Sequence, residues 1–120
     1  MKNRKFIDIF VREAEEHLAL LRDGILSLEK NGFSRELVHE ILRSAHTLKG
    51  SARMLDLGDL ALISHKLEDI LKELEEEERP LTPELIDLLF ISTDALEALT
   101  AQAHSGGEIQ VNIDAVLVGL

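Results

Sequence analysis

The chain has no cysteine, no tryptophan, no tyrosine and only two prolines, and its 13 Lys and Arg are outnumbered by 23 Asp and Glu, giving a formal charge of −10 over 120 residues. Each shortage excludes something. Without cysteine there is neither a disulfide nor a thiolate nucleophile, and a chain of this length buries a core without such staples. Four phenylalanines are the only aromatics, which leaves little for stacking on bases or sugars. The acidic balance repels a phosphate backbone and an anionic membrane surface alike, so nucleic acid is not an expected partner. No apolar run approaches the roughly 20 residues that span a bilayer, so no membrane insertion is expected. The opening MKNRKFIDIF lacks the apolar stretch and small-residue cleavage site of a signal peptide, and a cytoplasmic location is the expectation.

What is present is helical periodicity, broken only at turn residues. A first helix is predicted from about Lys5 to Lys30, with Phe6, Phe10, Leu21, Ile25 and Leu28 at helical spacing, ending at Asn31-Gly32. Ser34 can cap a second helix, whose Val38, Ile41, Ala45, Leu48, Ala52 and Leu55 step by threes and fours along one seam. A link at Asp56 to Gly58 leads to a third helix, with Asp59 as its predicted cap and Leu60, Ile63, Leu67, Ile70 and Leu74 as its seam. That helix frays into an acidic run, Glu75 to Glu78, read as a solvated helix end. Thr82 followed by Pro83 starts a fourth helix, which carries Leu85, Leu88, Leu89, Leu96 and Leu99 to about His104 and stops at Ser105-Gly106-Gly107. Asn112 to Gly119 can add a short fifth helix through Ile113, Val116 and Leu117. No strand pattern competes. The expected fold class is therefore all-α: an antiparallel up-down four-helix bundle over residues 1–105, followed by a tail or short fifth helix over 106–120 leading to a linker.

Within the second helix, the run SAHTLKGSARML raises a question of chemistry. At about 100° per residue, His46, Lys49, Gly50 and Arg53 cluster roughly 120° away from the apolar seam, so the histidine faces out. A neutral imidazole is a nucleophile near pH 7, and its ring nitrogen can attack phosphorus to form a labile P–N bond. Lys49 would offset the charge of an incoming phosphoryl group. Gly50, although it weakens the helix by roughly 1 kcal/mol relative to alanine, would let a partner press close. On the third helix His65, Glu68 and Lys72 share a stripe turned off the seam, which can bring Glu68 to the imidazole to fix its tautomer. Spacing alone leaves open a simpler reading, in which Glu68 and Lys72 are an i,i+4 surface pair and His46 is a polar surface residue.

The stretch AHTLKGSARMLDLGDLALISHKLEDIL, residues 45–71, resembles the histidine phosphotransfer (HPt) domain, with its His-x-x-Lys-Gly motif followed by small residues. It is most similar to the amino-terminal P1 type found in CheA-like chemotaxis histidine kinases. FVREAEEHLALLRDGILSLEK resembles the first helix of that type, and the resemblance covers residues 5–104. It implies that His46 is the phosphoacceptor, that Lys49 and Gly50 are the lysine and glycine beside it, that Glu68 orients His46 by a hydrogen bond, and that His65 supports the site. Arg53 departs from the family, standing where many relatives carry a small residue.

The implied function is a relay, in which His46 takes phosphoryl from ATP held by a separate kinase domain and gives it to an aspartate on the receiver domain of a response regulator. ATP and Mg²⁺ belong to those partner domains, because this chain has no P-loop or kinase-type glycine-rich loop, and no cofactor or metal of its own is expected. The domain is then a phosphoryl carrier, either the amino-terminal piece of a protein histidine kinase or a free-standing phosphorelay protein. The other histidines rank lower: His17 lies near the inner face of the first helix, and His39 and His104 are surface positions. Two functions of other classes are weighed. A di-metal bundle needs two Glu-x-x-His pairs, and only Glu36-Leu-Val-His39 has that form. A non-catalytic helical interaction bundle would show no phosphotransfer.

Overall fold

A computed structural model describes residues 4–106 and 113–119. Four long helices, α1 (Arg4–Asn31), α2 (Arg35–Met54), α3 (Gly58–Glu75) and α4 (Pro83–Ser105), are followed by a short α5 (Ile113–Gly119). The 28 residues of α1 rise about 42 Å, which sets the 43 Å long axis of the molecule. Consecutive helices pack side by side and α1 closes onto α4, while the diagonal pairs do not meet, so the four long helices form an antiparallel up-down-up-down bundle. α5 lies against α3 and α4. No described helix is long and apolar enough to cross a membrane.

The heptad spacing of Ile7, Val11, Ala14, Leu18, Leu21, Ile25 and Leu28 places one continuous stripe of α1 in the core. Phe6, expected within that stripe, falls one residue off it and is 56% exposed, and Ile7 takes the core position instead. Gly32, at φ +87°, turns the chain out of α1, and its N–H closes the last turn on the Leu28 carbonyl. Ser34 caps α2 as expected, its side chain accepting from Leu37 N at 3.3 Å. The α2 seam from Val38 to Ala52 is buried, and Leu55 packs half-buried at its end.

The start of α3 differs from the sequence expectation. Asp59 is not its cap: the N-cap is Leu57, which makes no side-chain capping bond. The reason is tertiary. Asp56 turns the chain at φ +60°, Leu57 N–H returns to the Ala52 carbonyl, and the Leu57 side chain packs against the core, so packing fixes where the helix begins. Asp59 lies inside the first turn, where its charge still suits the helix dipole. Glu75 and Glu77 of the acidic run reach back to α2, pairing with His39 and Arg35.

Thr82 caps α4 through Leu85 N at 3.1 Å, with Pro83 in the first turn. The buried hydroxyls of Thr93 and Thr100 are satisfied by carbonyls four residues earlier. Arg22 of α1 bridges Asp94 and Glu97 of α4. Gly106, at φ +71°, ends α4. Val116 and Leu117 of α5 are half-buried on the bundle; the expected stop at Gly107 and start at Asn112 lie outside the described residues.

Candidate functional site

Ala45 and Leu48 anchor the middle of α2 in the core, and the intervening helical rotation turns His46 outward, leaving its side chain 66% exposed. Opposite it, Glu68 is 2% exposed. The sequence places Glu68 on a stripe off the α3 seam, and the structure corrects this. α3 packs against both α2 and α4, so its buried face is wide enough to take in Ala61, Ser64, Glu68 and Leu71 as well as the leucine and isoleucine seam.

Burying a carboxylate is costly unless its oxygens are bonded. Here both are. Oε2 accepts from His46 Nδ1, and Oε1 accepts from Lys49 Nζ at 2.6 Å. Burial raises the carboxyl's affinity for a proton, but the bonds from Lys49 and His46, with the positive charges of Lys49 and Lys72, outweigh it and hold Glu68 below the usual carboxylate range. An ionised carboxylate can only accept, so the shared proton belongs to Nδ1 of His46. In the neutral ring Nε2 then carries the lone pair, and no described residue bonds to it.

Lys49 departs from the role the sequence suggests. Its side chain is 14% exposed and its ammonium is engaged with Glu68, so it holds the carboxylate that holds the ring. Gly50 is exposed, and a Cβ built there would meet nothing within 4 Å. His65 makes no described bond to His46; its Nδ1 lies 3.5 Å from Arg53 Nη2 and its Nε2 3.8 Å from Asp69. His17 is half-buried, its Nδ1 without a hydrogen-bond partner, in a groove between α1 and α2. His39 and His104 are exposed. The His39 ring pairs with Glu75 rather than Glu36, and among the described residues no three His, Asp or Glu converge as metal ligands.

Among the contacts that escape sequence reasoning are Lys49 to Glu68 and His39 to Glu75. The second has a signal in hindsight. His39 and His46 stand seven residues apart on α2, as Glu68 and Glu75 do on α3.

A four-helix bundle that presents an imidazole to solvent with its far nitrogen tied to a buried carboxylate defines a phosphotransfer class of protein, and the chain belongs to the Hpt domain family, whose model matches residues 5–106. Its relatives include chemotaxis proteins. It is 35% identical over 114 residues to the chemotaxis protein CheA of Listeria monocytogenes, covering 95% of this chain and 18% of that protein. It is 34% identical over 116 residues to CheA of Bacillus subtilis, covering 97% and 17%. The chain thus spans under a fifth of the length of these relatives. Among solved structures, the CheA phosphotransferase domain from Thermotoga maritima superposes with a TM-score of 0.79 at 33% identity, over 85% of this chain and 97% of that one. The phosphorylated P1 domain of CheA3 in complex with CheY6 from R. sphaeroides shares the fold, with a TM-score of 0.86 at 20% identity, over 98% and 93%.

Proposed function

We propose that His46 Nε2 accepts a phosphoryl group from ATP bound to a separate kinase domain and passes it to an aspartate on a response-regulator receiver domain. The observation that carries this reading is the ionised, buried Glu68 on Nδ1 of an otherwise exposed ring. In the first step the Nε2 lone pair attacks the γ-phosphorus, the bond to the bridging oxygen breaks, and ADP leaves. The ring becomes cationic while its Nδ1 proton stays in place, and the Glu68 carboxylate stabilises that cation. In the second step an aspartate oxygen attacks the phosphorus, the P–N bond breaks, and the neutral Nδ1–H imidazole returns. The same tautomer serves both directions.

The relatives support placing this domain within a longer CheA-type kinase that signals in chemotaxis. Nucleotide and Mg²⁺ are then brought by the partner domains, and this chain contributes the nucleophile, its orienting carboxylate and an open approach over Gly50. The test is incubation with a CheA-type catalytic fragment and ATP labelled at the γ-phosphate. Acid-labile, base-stable label is expected on the wild type, removed by a receiver domain with Mg²⁺, and absent from His46→Gln. Label that persists in His46→Gln would refute the assignment.

A further inference from the structure

A phosphoryl group on His46 brings close to two negative charges to the surface of a chain already at −10. The cation that the sequence offers beside it, Lys49, is mostly buried and bonded to Glu68. Taking His46 as the phosphoacceptor, we propose that the Arg53 guanidinium moves off His65 and clamps the phosphoryl group on His46 Nε2.

The helix register supports this. His39 pairs with Glu75 and His46 with Glu68, so α2 and α3 run antiparallel with position 65 level with Lys49. Arg53 lies four residues beyond Lys49, yet its Nη2 is 3.5 Å from His65 Nδ1. Helical side chains lean toward the start of their own helix, so in this antiparallel pair Arg53 leans toward the level of Lys49 and His65 toward that of Arg53, and the two meet between. That brings the guanidinium to within about one and a half turns, ~7.5 Å of rise, of the level of His46. Arg53 also lies seven residues from His46, which places the two within about 20° on the same face.

The path between them is open, because Gly50 lies on it and a side chain there would meet nothing within 4 Å. The contact to be given up is weak: 3.5 Å is at the edge of hydrogen bonding, and the His65 ring also lies near Asp69. A phosphoryl group offers the guanidinium two parallel bonds to an anion in exchange for one long bond to an imidazole nitrogen. The guanidinium on the other side of His46, that of Arg43, lines the groove against α1 with His17 and Asp23, on the flank away from Glu68.

Phosphoramidate tests this on the whole chain without a kinase. Nε2 attacks phosphorus, the P–N bond of phosphoramidate breaks, and ammonia leaves. The ³¹P resonance of His46 is assigned by its loss in His46→Gln, and its pH titration is compared among the wild type, Arg53→Ala, Arg53→Lys and Arg43→Ala. A guanidinium on the phosphoryl favours its doubly ionised form, so the midpoint rises in Arg53→Ala, by about half a pH unit for an exposed charge pair. Arg53→Lys recovers part of the shift, and Arg43→Ala titrates as the wild type. The His65 ring resonances move on phosphorylation in the wild type and stay still in Arg53→Ala. Equal midpoints in the wild type and Arg53→Ala overturn the clamp, as does a larger shift in Arg43→Ala. Absence of any His46 resonance in the wild type overturns the phosphoacceptor assignment itself, and the clamp with it.

Discussion

Glu68 stays charged inside the bundle because Lys49 and His46 each occupy one of its oxygens, and removing either partner has a different consequence. His46 is largely solvated, so His46→Gln is expected to change stability little. Lys49→Met leaves a buried carboxylate with one bond and is expected to destabilise by about 1–3 kcal/mol, read by urea unfolding at neutral pH. Glu68→Gln puts a neutral amide in place of the carboxylate at Nδ1 and loses the charge-assisted bond that steadies the cationic ring, so labelling of His46 by a kinase fragment should slow on the order of tenfold to a hundredfold. The folded-state pKa of Glu68 lies below its unfolded value, so the folded molecule binds fewer protons there. Its contribution to stability is complete above the ordinary carboxylate pKa of about 4.3 and is lost as pH falls through the folded value. Urea midpoints of the wild type should therefore drop between pH 6 and pH 3 more steeply than those of Glu68→Gln. Parallel slopes would contradict the assigned ionisation.

Two glycines mark opposite demands on the helices that carry the site. A Cβ at Gly24 of α1 would lie 2.4 Å from Ile41 Cγ2 of α2, so Gly24→Ala forces the two helices apart and should cost about 1–3 kcal/mol. At exposed Gly50 alanine meets nothing, and the substitution should raise stability by about 0.5–1 kcal/mol by relieving the unfolded chain's entropy. Thermal melts of the two variants should move in opposite directions. The helices themselves were largely legible in the amino-acid sequence. Ser34 and Thr82 are caps whose side chains reach the N–H groups their positions require, and the seams of α2 and α3 repeat at bundle spacing. Asp59 was not legible as a first-turn residue, because Leu57 is placed by its packing on the core and a cap rule knows nothing of that. Glu68 was misplaced on the surface for a related reason: a wheel drawn through one row of leucines assumes a single packing partner, whereas α3 has two long ones. The pairing of His46 with Glu68 came from the family motif, since periodicity alone allowed a plain surface pair.

At the scale of the whole molecule, charge is unevenly distributed. α4 carries Glu84, Asp87, Asp94 and Glu97 with no Lys or Arg, while α2 sets Arg35, Arg43, Lys49 and Arg53 against Glu36 and Glu40. The helix that bears His46 is thus the cationic side of an acidic body, which suits approach by an anionic phosphodonor. α5 sits apart from this and, among the described residues, packs on α3 and α4 alone. Truncation after Gly106 removes the partial burial of Val116 and Leu117 and should cost about 1–2 kcal/mol, visible as a lower melting temperature, while labelling of His46 continues.

Glu68 is the one charged side chain in the described core, and its bonds to Lys49 and to Nδ1 lie on the side of the ring away from Nε2, the nitrogen proposed to react. On the proposed reading, gaining or losing a substituent at Nε2 therefore leaves this buried tie between α2 and α3 in place. A courier built this way keeps its frame when it takes up its cargo and rearranges only the side chains beside the ring, so whoever collects the message has to touch the ring to read it.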